Sequence, residues 1–108
     1  MAVTVKRNRE QFQGLYSDVW TVTDTALNFG NAAVGSGTFA SVDITVPGVA
    51  LGDMVIGVAV GVDTVDTGIV GAVTAANTVT LTIMNNSAGA VDLASTTGRF
   101  IVVRPSWA

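Results

Sequence analysis

The sequence predicts an all-β domain, an antiparallel sandwich or small barrel, on three observations. Valine (19) and threonine (14) make up nearly a third of the 108 residues, and both are β-branched side chains that suit a pleated, half-buried surface. No window keeps a helical period, and the 12 glycines are scattered too densely for long helices. From residue 37 onward, alternating runs recur every ten to twelve residues with Gly, Asn, Asp or Pro between them.

Taken in chain order, residues 1–9 read as an extended N-terminal arm and residues 10–108 as a single domain. Phe12, Tyr16, Trp20 and Phe29 form an aromatic cluster expected to pack under or beside the sandwich. Residues 30–37, all small or polar apart from Val34, read as a loop. Residues 41–46 alternate cleanly, with Val42, Ile44 and Val46 inward, until Pro47-Gly48 turns the chain. Turns are also expected at Gly52-Asp53, 63–68, Ala76-Asn77 and 85–90.

Residues 54–62 alternate by size. Met54, Ile56, Val58, Val60 and Val62 are expected on one face, with Val55, Gly57, Ala59 and Gly61 on the other. Residues 78–84 give the clearest strand, with Val79, Leu81 and Ile83 opposed to Thr78, Thr80 and Thr82. Residues 69–74 and 99–104 complete the expected strands.

Composition limits the chemistry. Charged residues are 12% and apolar residues 49%, the reverse of a disordered tail. There is no Cys and no His, which excludes disulfides, thiolate zinc sites and imidazole-based triads. A net charge of -3 argues against a duplex nucleic-acid partner. The uncharged stretch 67–91 is long, but its asparagines and threonines are costly in hydrocarbon, so no membrane span is expected. No secretory leader is read at residues 1–15.

Asp63 and Asp66 are the one pair of carboxylates close enough in sequence to suggest acid–base or cation chemistry, yet their spacing fails the EF-hand pattern. A turn rich in Asp, Thr and Gly explains them without a ligand. Residues 30–37 lack the lysine of a phosphate loop, and Asn85-Asn86-Ser87 matches a glycosylation acceptor by accident. No catalytic residue, metal ligand or cofactor is expected, and the chain is read as a non-enzyme.

Charge order is the most informative feature. Lys6, Arg7, Arg9, Arg99 and Arg104 all lie near the termini, and only aspartates stand between Glu10 and Gly98. An ordinary solvated terminus would explain the first three. The functional reading is an electropositive arm in which Val3, Val5, Lys6, Arg7 and Arg9 contact an acidic partner or add as a strand to a neighbour. Trp107, behind Pro105, is a second candidate docking residue. A core of Val and Ala buries little area per residue, which favours self-association.

The run Val46-Pro47-Gly48-Val49-Ala50-Leu51-Gly52-Asp53-Met54-Val55 is followed by Val73-Thr74-Ala75-Ala76-Asn77-Thr78-Val79-Thr80-Leu81. Asn85-Asn86 and Ala90-Val91-Asp92-Leu93-Ala94 come next. This ordered set resembles small structural proteins of tailed bacteriophages, the head decoration (cement) and head-fibre type, over about residues 37–104. The resemblance implies an antiparallel, jelly-roll-like β-sandwich, often a homotrimer, and a virion part with no enzymatic activity. Here Leu51 is expected to tuck beneath its turn, Gly52 to take a backbone conformation closed to other residues, and Asp53 to cap the turn. The absence of long repeats or heptads favours the head over a fibre. The partner implied is then the major capsid protein, on the outer capsid surface. The alternative is a tail or fibre module that binds a host receptor or glycan, using Tyr16, Trp20 and residues 63–68.

Overall fold

A computed structural model describes residues 3–8, 15–29, 39–62, 67–85 and 95–106. These form seven strands: β1 (Val3–Asn8), β2 (Tyr16–Leu27), β3 (Phe39–Thr45), β4 (Met54–Val60), β5 (Thr67–Ala75), β6 (Thr78–Asn85) and β7 (Thr96–Pro105). The fold is all-β, and its two sheets are antiparallel throughout. One has the order β1-β2-β7-β4 and the other β3-β6-β5.

One core serves both sheets. Trp20, Val22, Leu27, Phe100 and Val102 enter it from the first sheet, and Ile44, Val79 and Leu81 from the second. Val46 and Val49, just past β3, close it at one end. The expected inward sets of 41–46 and 78–84 are found there, because period-two alternation leaves each strand one apolar face. Glycine admits the close approach of the sheets at one side. A Cβ on Gly71 of β5 would stand 2.7 Å from Val55 Cγ1 of β4 and 3.0 Å from Leu81 Cδ2.

The expected phase of 54–62 is corrected by a β-bulge. Ile56 pairs with Ile101 and Val58 with Phe100, so Gly57 is left over, with a φ of 57° that glycine adopts readily. The extra residue flips every side chain after it. Val55, Val58 and Val60 therefore pack towards the core, while Met54, Ile56 and Ala59 face outward.

The aromatic cluster of the N-terminal third is also revised. Tyr16 and Trp20 belong to β2, the longest strand, which lies between β1 and β7. Phe29 packs against the core and Phe12 lies outside the described residues. Residues 3–8, expected within an arm, run as β1 along β2 of the same chain, from Val3 opposite Asp24 to Asn8 opposite Val19. The expected loop 30–37 lies outside the described residues, as do residues 86–90 of the expected turn 85–90, whose Asn85 instead ends β6, and Arg9 and Glu10 at the expected domain boundary.

Candidate functional site

Four ionisable side chains of the described residues, Arg7, Asp18, Asp53 and Arg104, gather around Trp20, which is fully buried. Arg7 reaches it from β1, with its guanidinium carbon 4.7 Å from the ring centroid, and Arg104 from β7 at 5.2 Å. Such distances lie within cation–π range. Both arginines donate to Asp18 Oδ2, Arg7 at 2.8 Å and Arg104 at 3.5 Å. Asp18 stands two residues before Trp20, on the same inward side of β2.

Arg104 also grips the turn ahead of β4. Its Nε donates to Asp53 Oδ1 and its Nη2 to Asp53 Oδ2, each at 2.9 Å, the two-pronged geometry that suits a planar guanidinium. The Asp53 hydrogen bond and the nearby Asp53 and Asp18 charges hold the guanidinium's pKa above its ordinary value, against a lesser effect of burial.

Three turns are tied to this centre. The Trp20 indole N–H donates to Pro47 O at 3.0 Å, and Arg104 Nη2 donates to Gly48 O at 3.0 Å. Gly48 N–H donates to Asn77 Oδ1 at 2.8 Å, Asn77 N–H to Val49 O at 2.9 Å, and Val46 N–H to Asn77 O at 2.9 Å. Gly48 has a φ of 95°, which disfavours a side chain, and a Cβ there would lie 2.7 Å from Arg7 Nη1 and displace the tip of that arginine. Gly52 has a φ of 99° and Asn77 of 63°, and Asp53 Oδ2 accepts from Ala50 N–H at 2.9 Å. The expected backbone role of Gly52 and the capping role of Asp53 are thus found. Leu51 is the exception: it is 71% exposed and does not tuck beneath the turn.

Chemically, this cluster is a clamp. Asp18 and Asp53 are engaged by arginines, and the one aromatic ring at its centre is sealed. A glycan cannot stack on Trp20 in this conformation, which removes that residue from the receptor-binding alternative. Asp63 and Asp66 lie outside the described residues. Among the described residues no group of acidic side chains is arranged to hold a metal ion, and no helix is long and apolar enough to cross a membrane.

The candidate partner residues divide. Val3 and Val5 are half-buried and pack against the core, and Arg7 is drawn into the clamp. Lys6 faces outward. Arg9 and Trp107 lie outside the described residues.

Two outer faces remain. That of the second sheet is hydroxyl-rich and internally bonded: Thr80 donates to Asp43 Oδ1 at 2.6 Å, and the hydroxyls of Ser41 and Thr82 lie 3.0 Å apart. At one end of it stand Phe39, Met84 and Val70, all exposed. That of the first sheet is more continuously apolar. Met54, Ile56 and Ile101 are 37%, 42% and 40% exposed, and an open groove of about 480 Å³ runs between β2, β7 and β4. Sequence reasoning missed this surface because it kept Met54 and Ile56 on one face with Val58 and Val60; a glycine between apolar runs was the available sign of a bulge.

Comparison with known proteins yields no match to any family model, curated protein or solved structure.

Proposed function

We propose that this chain is a virion structural protein, a capsid decoration (cement) protein that binds the outer surface of a phage head and stabilises the shell by bridging neighbouring capsid subunits. The observation that supports this best is what the resemblance-bearing residues do. Gly52 and Asn77 occupy left-handed backbone positions, and Asp53 and Asn77 hold the turns between the sheets. Runs 46–55 and 73–81 therefore act as a structural unit, which supports reading their order as that of the decoration proteins they resemble. In this reading the two sheets form a jelly-roll-like β-sandwich, self-associating as a homotrimer.

Bridging would use the β1 edge. β1 ends the first sheet among the described residues, so its far row of backbone groups can receive a strand from a neighbour. No catalytic role is proposed, because the carboxylates of the clamp serve to fix turns.

The test is add-back to purified heads lacking the protein. Saturable binding and a higher temperature of head disruption are expected. No binding to heads, together with binding to host-surface glycans, would instead place the chain in a tail or fibre.

A further inference from the structure

The outer face of the first sheet can be followed row by row from the strand register. One row runs Lys6, Thr21, Ile101, Ile56; the next runs Thr4, Thr23, Arg99, Ala59; a third contains Val19, Val103 and Met54, of which Val103 is buried. Its charged members among the described residues are Lys6 and Arg99, both cationic, in a chain of net charge -3. The carboxylates of β2, Asp18 and Asp24, point inward and are buried, and Asp53 at the edge is held by Arg104.

We infer that this face, centred on Ile56 and Ile101 and rimmed by Arg99 and Lys6, is the surface that docks on the capsid subunit, at a site with an apolar centre and carboxylates at its margin. The inference rests on the decoration reading and adds to it the face and the partner's chemistry.

Three considerations select this occupant. The bulge at Gly57 lets the later half of β4 place Val58 and Val60 on the core while Met54 and Ile56, before it, face outward. Exposed large apolar side chains gathered in a groove mark a surface completed by another protein. Charge then chooses among proteins. Packing this face against the same face of a second copy would bring four cations together with no described carboxylate, which self-complementary association disfavours. A partner with carboxylates at the rim pairs both cations instead. Nucleic acid fits poorly, because two cations on a face of threonine and isoleucine neutralise few phosphates.

The test uses the full chain on purified heads lacking it. Ile101→Glu and Arg99→Glu are compared with Val70→Glu, which alters an exposed residue of the opposite sheet, after urea curves show that all three variants fold. The expected result is a loss of about tenfold or more in head affinity for the first two, little change for Val70→Glu, and weaker wild-type binding as salt rises. If the wild type binds and Ile101→Glu and Arg99→Glu bind equally well, this docking face is wrong while the decoration reading stands. If Val70→Glu is the variant that loses binding, the face is likewise wrong. If the wild type itself does not bind, the decoration reading falls.

Discussion

Arg104 and Asp53, 51 residues apart, are joined by two parallel hydrogen bonds of 2.9 Å that fasten the last strand to the turn before β4. The same guanidinium lies over Trp20 and reaches Gly48 O. One side chain thus links β7, β2 and two turns. Replacing Arg104 by Ala is expected to cost about 2–3 kcal/mol, since it removes charge-assisted bonds and leaves Asp53 poorly partnered. Arg104→Lys should recover less than half of that, because an ammonium cannot reproduce the planar fork. Urea denaturation of both variants checks this.

Asn77 separates backbone from side-chain effects. Asn77→Gly keeps the left-handed conformation and loses only the bond from Gly48 N–H, an expected cost of about 1 kcal/mol. Asn77→Ala adds the strain of φ 63°, bringing the total to about 2–3 kcal/mol. Equal losses in the two variants would refute the conformational part.

Two glycines should fail for different reasons. Gly71→Ala drives a methyl into Val55 and Leu81, with an expected loss of about 1–3 kcal/mol from overpacking. Gly57→Ala meets nothing within 4 Å, and its cost of about 1–2 kcal/mol is conformational. Asparagine at each position tells them apart. Gly57→Asn should recover part of the loss because asparagine tolerates the left-handed region, while Gly71→Asn should be worse than Gly71→Ala.

Arg7→Ala tests how β1 is held. Within the first sheet β1 pairs with β2 alone, and Arg7 contributes the Asp18 ion pair at 2.8 Å and the stacking on Trp20. Hydrogen exchange should accelerate at the β1 amides while β6, in the other sheet, keeps its protection. Uniform acceleration would show that β1 opens only with the whole fold.

Much of the sheet structure was legible where one face of a strand is purely apolar. Residues 78–84 and the β3 region alternate without exception, and their inward residues are those expected. β2 was hidden because its inward row begins with Asp18 and includes Asp24, which a two-fold hydrophobic pattern scores as outward. Asp18 is tolerated there through two arginines, and Asp24 Oδ1 accepts from Ala26 N–H at 3.0 Å where the strand departs from regular pairing. The face of β4 was misread for a different reason. Apolar residues stand on both phases of 54–60, so only backbone geometry at Gly57 decides which are buried. The clamp was invisible for a third: its members are far apart in sequence, and Arg7 was read as part of an arm reaching a partner, whereas it folds back with Arg104 onto Asp18.

The decoration reading is tested most directly by the number of copies of this chain per purified virion, measured by quantitative mass spectrometry against the major capsid protein. A ratio approaching that of the capsid protein is expected for a shell-covering protein. A ratio many times lower would contradict a cement role and assign the chain to a tail, fibre or vertex.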